Sequence, residues 1–91
     1  MKNQREILNE LQNVKKATSL YLAQEPEAED LKWVADELTR IEKLILNNWP
    51  LSADNKKTIE IGVYGARNLH ELENAKLAVM LSKLDAQLKN S

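Results

Sequence analysis

The segment Trp-Pro-Leu-Ser at residues 49–52 constrains the fold of this 91-residue chain more than any other feature. Pro50 has no amide hydrogen and clashes in a helix interior, and it pushes the residue before it toward extended geometry. Ser52 is a favourable N-cap, and Asp54 falls in the first turn after it, where a negative charge suits the helix dipole. The sequence therefore predicts that one helix ends near Asn48 and that another begins near Ser52.

Two long amphipathic helices are predicted before this break, from about Asn3 to Ala23 and from about Glu27 to Asn48. Apolar residues recur in both at intervals of three and four, which is typical of one buried face. The first face holds Ile7, Leu11, Val14, Thr18 and Tyr21, with Leu8 and Leu22 beside it and Leu20 pointing away. The second face holds Leu31, Val34, Leu38, Ile41 and Ile45, with Trp33 and Leu44 at its edge.

The third predicted helix contains both glycines of the chain. Each glycine costs about 1 kcal/mol of helix propensity relative to alanine. Gly62 and Gly65 therefore serve either close packing against a neighbouring helix or close approach of a partner. A helix that runs on from Ser52 has one apolar stripe, composed of Ile59, Gly62, Val63 and Ala66.

A strand over residues 58–64 is the alternative to this helix, because Ile59, Ile61 and Val63 alternate with more polar residues. No second run in the sequence offers a convincing partner strand, and a lone strand leaves its backbone groups unpaired. We therefore expect a helix here.

A short connection at Arg67–Glu71 leads to a fourth helix, predicted from about Glu71 to Lys89. Its main stripe consists of Leu77, Leu81, Leu84 and Leu88, flanked by Met80. A second stripe on nearly the opposite side consists of Leu72, Ala75, Val79, Ser82 and Ala86. We expect this helix to lie centrally and to be packed on both sides. A self-association surface and a surface for a protein partner remain the alternatives.

These patterns predict an all-α fold, a single-domain antiparallel bundle of about four helices over residues 1–91. Phenylalanine is absent, so the core is built from Leu, Ile, Val and Ala. The formal net charge is −1, which provides no global field for nucleic acid or an anionic membrane. Cysteine is absent, no run reaches the roughly 20 apolar residues of a membrane span, and no signal peptide is visible. These features are compatible with the cytoplasm, and we expect neither a nucleic-acid nor a membrane partner.

Catalytic motifs are missing from the sequence. A single histidine, His70, cannot form a zinc site without other ligands, and there is neither a His-Glu-x-x-His motif nor a phosphate-binding glycine loop. We therefore expect neither an enzyme nor a cofactor, and no catalytic or metal-binding residue.

Residues 27–88 resemble the small α-helical immunity proteins of type VI secretion systems, one of which neutralises an NAD(P)⁺ glycohydrolase toxin. The similarity lies in three segments, DLKWVADELTRIEKLIL, NNWPLSADNKK and TIEIGVYGARNLHELENAKLAVMLSKL. Within the last, Ile61-Gly62 looks like the family's aliphatic-glycine pair. Asn68–Asn74 looks like its acidic turn, and Ala75–Leu84 like its alanine- and leucine-rich helix.

The resemblance implies a cytoplasmic protein that binds a cognate toxin domain and blocks its nucleotide-binding active site. It transfers no residue roles, so candidate binding residues come from the surface argument. Acidic and aromatic residues outside the core stripes are the candidates, because aromatic side chains are enriched at binding hot spots. They are Glu27, Asp30, Trp33, Tyr64, Arg67, His70 and Glu71.

Each candidate also has a purely structural interpretation. The acidic residues at positions 25–30 suit a helix N-terminus as well as a basic partner. Trp33 and Tyr64 could cover the bundle edge instead of anchoring a partner. A general helical interaction module or a homodimer is the alternative function. A DNA-binding regulator is disfavoured by the absence of a basic recognition helix.

Overall fold

The chain folds into a ring of helices in a computed structural model that describes residues 3–69, 71 and 74–91. These residues form α1 (Gln4–Gln24), α2 (Glu29–Asn47), α3 (Ala53–Lys57), α4 (Ile61–Asn68) and α5 (Ala75–Lys89). Helix α1 packs on α2 and α5, and α4 packs on α5 and α2. The described ranges contain no strand. The predicted all-α bundle is confirmed, and the strand alternative for residues 58–64 is wrong.

The predicted core faces of α1 and α2 lie inside this ring. All five stripe residues of α2 are buried, and on α1 only Tyr21 of the predicted face is half-buried rather than buried. Leu20 is 63% exposed, as its position outside the stripe predicts. Asn3 caps α1, since its side chain accepts from the amide of Glu6 at 2.9 Å. Periodicity therefore defines both long helices, and a side-chain cap adds to it only in α1, because Ala28 at the start of α2 makes no side-chain cap hydrogen bond.

A polar bridge closes the seam between α1 and α2. Lys15 Nζ lies 2.9 Å from Glu42 Oε1, and Gln12 donates to the other oxygen of the same carboxylate. The hydrogen bond from Lys15 lowers the pKa of Glu42 below its usual value. Gln4 Nε2 donates to the carbonyl of Ile45 at 2.8 Å. Because the start of α1 meets the end of α2, the two helices are antiparallel.

The break at residues 49–52 occurs where the sequence predicts it. Helix α2 ends at Asn47, the Trp49–Pro50 peptide bond is cis, and Leu51 turns into the core. The hydroxyl of Ser52 accepts from the amide of Asn55 at 3.0 Å and so caps α3.

The third predicted helix is broken at Thr58–Glu60, which the sequence does not predict. In a continuous helix the carbonyl of Thr58 would accept from the amide of Gly62. Instead, that carbonyl accepts from Arg40 Nη2 of α2 at 2.9 Å. The Gly62 amide donates to Asp85 Oδ2 of α5, also at 2.9 Å. Both halves of one helical hydrogen bond are therefore satisfied by side chains from neighbouring helices.

This break changes which residues face the core. Ile59 is buried as predicted, but Val63 is 50% exposed and Ala66 is exposed. The core-facing residues of α4 and its C-cap are instead Ile61, Gly65 and Leu69. The predicted stripe is therefore wrong beyond Ile59, because the helix restarts at Ile61 in a new rotational position. Helix α4 also runs on to Asn68, so Arg67 and Asn68 do not belong to the connection.

Both glycines lie where α4 approaches α5 closely. A Cβ on Gly62 would lie 3.0 Å from Cβ of Asp85, and one on Gly65 would lie 3.2 Å from Cδ1 of Leu81. Close packing against a neighbouring helix of the same chain therefore accounts for both Gly62 and Gly65.

Helix α5 begins at Ala75, one turn later than expected, and buries the complete leucine stripe. Its second stripe is open. Val79 is 53% exposed, and Ser82 and Ala86 are exposed as well, while Leu72 lies outside the described residues. The expectation that this helix is packed on both sides is therefore wrong, because α1 and α4 both pack against its leucine face.

Candidate partner-binding site

Three of the candidate residues meet at the seam between α2 and α4. The rings of Trp33 and Tyr64 are stacked, with centroids 3.8 Å apart and planes inclined by 18°. The Tyr64 hydroxyl donates to Asp30 Oδ1 at 2.9 Å. We call Asp30, Trp33 and Tyr64 the aromatic cluster.

Local helix geometry brings the aromatic cluster together. Asp30 and Trp33 are three residues apart, so they lie on the same side of α2. Tyr64 has the same spacing from the buried Ile61, which directs its ring toward α2. All three side chains are half-buried, and both rings pack against the core. The cluster therefore presents one face to solvent on a rigid support.

The electrostatics of the aromatic cluster keep Tyr64 neutral. Burial raises the pKa of Tyr64, and the hydrogen bond to the Asp30 carboxylate raises this pKa further, because both disfavour the phenolate. The hydroxyl therefore remains a donor at neutral pH, and one oxygen of Asp30 is occupied by it.

Acidic side chains extend this surface beyond the aromatic cluster. Glu27 is fully extended into solvent, with a side-chain exposure of 99%, and its nearest cation is Lys32 Nζ at 3.9 Å. Glu29 and Asp30 form the first turn of α2. Their charges favour the positive end of the helix dipole. The surface is therefore aromatic at its centre and acidic at one side.

The other candidate residues do not join the aromatic cluster. Arg67 lies exposed on the last turn of α4, and Glu71 is exposed in the connection to α5. Among the described residues, no hydrogen bond or ion pair ties either one to the aromatic cluster. His70 lies outside the described residues.

The sequence places Tyr64 outside the core stripes, either as a partner anchor or as cover for the bundle edge, and the structure shows that its ring does cover the edge. Because the stripe itself shifts at the break, Tyr64 moves to the α2 side and becomes half-buried. The spacing from Ile61 to Tyr64 was the available signal. Truncation of either ring should therefore affect folding as well as any binding.

We expect Tyr64→Phe to lower the free energy of unfolding by about 0.5–1.5 kcal/mol, because it removes the bond to Asp30 and keeps the stack. Tyr21→Phe is the matched control, since Tyr21 is also half-buried and its hydroxyl bonds to no described residue. Urea unfolding of the three proteins measures the difference. The pKa of Tyr64 is raised in the folded state, so its contribution to the free energy of unfolding is lost as the pH rises above 10. The difference in stability between the parent and Tyr64→Phe should therefore shrink above pH 10. Equal stability of Tyr64→Phe and the parent at pH 7 would contradict the role of this bond.

The described ranges contain neither a cluster of metal-binding side chains nor a membrane-spanning helix. No three metal-binding side chains gather within residues 3–69, 71 and 74–91. In the same ranges, no helix combines the length and apolar character needed to cross a membrane. Comparison with protein-family models, curated proteins and solved structures finds no match.

Proposed function

We propose that this chain is an immunity protein, which binds a cognate secreted antibacterial toxin and occludes its nucleotide-binding active site. The single observation that supports this most is the aromatic cluster beside the acidic start of α2. The resemblance of residues 27–88 to type VI immunity proteins motivates the choice of partner. The protein itself carries out no reaction and holds no cofactor, and it acts in the cytoplasm.

The chemistry of this surface suits such a target. An enzyme that binds an anionic dinucleotide provides cationic groups in its cleft, and an acidic surface is complementary to them. Glu27, Glu29 and Asp30 supply the negative charge, and Trp33 supplies flat apolar area of the kind that dominates binding hot spots.

Rigidity of the surface supports tight inhibition. The Tyr64–Asp30 hydrogen bond and the stack on Trp33 fix the rotamers before any partner arrives. A binder that is already ordered loses less side-chain entropy on association, and this loss is one of the costs of forming an interface.

Reversing charge at the exposed acidic residues tests this proposal. Where a neighbouring gene encodes a toxin domain, we expect the double variant Glu27→Lys/Glu29→Lys to weaken binding to that domain by tenfold or more, through a slower association. Surface plasmon resonance measures the rate constants, and co-expression with the toxin domain measures protection. Both residues are exposed, so the fold should persist.

Asp54→Lys is the matched control, because Asp54 is also an exposed acidic residue in the first turn of a helix. It should bind and protect like the parent. If the double variant also binds and protects like the parent, the inhibitory surface is not at the start of α2. If no neighbouring toxin domain binds the parent protein, the proposed function itself is wrong.

Self-association is the second candidate function, and the open stripe on α5 favours it. Val79 is 53% exposed between the exposed or half-buried Ala75, Ser82 and Ala86, so this face could pack on a second copy. Sedimentation velocity of the parent protein distinguishes a concentration-dependent dimer from a monomer that acts only on a partner.

A further inference from the structure

The seam between α1 and α5 is one of the four helix seams of the ring. Glu42 bridges α1 and α2, the aromatic cluster bridges α2 and α4, and Asp85 joins α5 to α4. Along the α1/α5 seam lies an open groove in two sections that share Met80. The wider section has a volume of about 330 Å³ and the narrower one about 150 Å³.

The wider section of this groove is mainly apolar. Ala17, Leu20 and Tyr21 of α1 face Met80 of α5 across it, with Gln24 and Lys76 as its polar lining. Leu20 is the most exposed large hydrophobic residue in the described part of the chain, at 63%. Methionine adapts its shape to apolar ligands, so Met80 suits the floor of a docking groove.

Among the described residues that line the wider section, the one charged side chain is a lysine. Lys76 lines it, and Lys16 precedes Leu20 by one turn on the same side of α1. Lys83 lines the narrower section, two turns or about 10 Å from Lys76 along α5. Glu10 is the one carboxylate among the described lining residues. It belongs to the narrower section and lies ten residues, or about 15 Å, before Leu20.

From this combination we propose that the α1/α5 groove docks an acidic amphipathic helix of a partner protein. The apolar side chains of that helix enter between Leu20 and Met80, and its carboxylates meet Lys16 and Lys76. This is the usual way in which a groove between helices recognises a helical ligand. The proposal concerns a surface different from the aromatic cluster and does not rest on the proposed function.

Charge decides against a second copy of this chain in a symmetric arrangement. A two-fold axis through the groove brings the same surface of both copies into one interface. Both copies of Lys76 would then lie in that interface, and like charges there are unfavourable. An acidic helix has no such conflict.

The test uses the full chain with ¹³C-methyl methionine, because Met80 and Met1 are its two methionines. The probe is a capped 14-residue peptide, cross-linked to stay helical, with leucines at positions 3, 7 and 10 and glutamates on both flanks. A second peptide has lysine at every glutamate position. We expect the glutamate peptide to shift the Met80 methyl resonance, with a dissociation constant at least tenfold lower than that of the lysine peptide.

Variants of the groove complete the test. Leu20→Glu should weaken binding of the glutamate peptide at least tenfold, whereas Leu46→Glu should not, since Leu46 is a similarly exposed leucine (57%) on α2. Lys76→Glu should reverse the preference between the two peptides. Absence of a Met80 shift at millimolar glutamate peptide, equal binding of both peptides, or equal effects of Leu20→Glu and Leu46→Glu would overturn the proposal. A dimer in sedimentation that Leu20→Glu abolishes would assign the groove to a second copy instead.

Discussion

Leu81→Ala is expected to lower the free energy of unfolding by about 2–5 kcal/mol, the usual cost of truncating a buried leucine to alanine. Leu81 is 0% exposed, and one of its methyl groups lies against Gly65 of α4. The missing atoms leave a cavity where α4 packs closely on α5. Since small domains have about 5–15 kcal/mol of stability in total, this is a large fraction.

Thermal and urea unfolding measure this effect. The equally buried Leu38 of α2 should give a loss of the same size when truncated to alanine. Leu46→Ala is the control, because Leu46 is 57% exposed, and it should change stability by less than about 0.5 kcal/mol. Losses below about 0.5 kcal/mol at both Leu38 and Leu81 would mean that the core faces are misplaced.

Asp85→Ala should cost about 1–3 kcal/mol, although it removes only one small polar side chain. Asp85 is 6% exposed, accepts from the Gly62 amide and pairs with Lys89 Nζ at 2.9 Å. Glu60, the N-cap residue of α4, supplies no side-chain hydrogen bond to the first turn. Without the carboxylate, the half-buried Gly62 amide loses its hydrogen-bond partner.

Two further variants separate the contributions of Asp85. Lys89→Gln removes only the ion pair of a 43% exposed lysine and should cost less than about 1 kcal/mol. Asp85→Asn keeps an oxygen acceptor for the Gly62 amide and should fall between the parent and Asp85→Ala. Chemical denaturation of the four proteins would contradict this account if Lys89→Gln were as damaging as Asp85→Ala.

Periodicity predicts those parts of the fold in which one helix face decides the outcome. The stripes from Leu31 to Ile45 and from Leu77 to Leu88 are buried as expected, because intervals of three and four leave a single apolar face. The break at Pro50 follows from proline geometry alone. In each case, residues close together in the sequence are sufficient to predict the observed structure.

The third predicted helix fails for a reason that local sequence does not contain. Residues 53–68 have no proline, and their break depends on Arg40 and Asp85, which are distant in sequence. Asp85 next to the leucine stripe of α5 is the only hint, since a buried carboxylate needs a partner. The prediction of one continuous helix also misplaces Tyr64 in the candidate site, because the orientation of Tyr64 depends on that of α4.

Arg40 and Asp85 lie on different helices, yet they act on the two ends of a single absent backbone bond. Loss of Arg40 frees the Thr58 carbonyl but leaves the Gly62 amide bonded to Asp85. Loss of Asp85 frees the Gly62 amide but leaves the Thr58 carbonyl bonded to Arg40. Only loss of both lets the Thr58 carbonyl and the Gly62 amide find each other and join α3 to α4 in one helix. The two positions are therefore expected to show epistasis, with an effect of the double substitution that differs from the sum of the single ones. In landscape terms, residues 53–68 are locally frustrated, and their neighbours select the broken form over the continuous one.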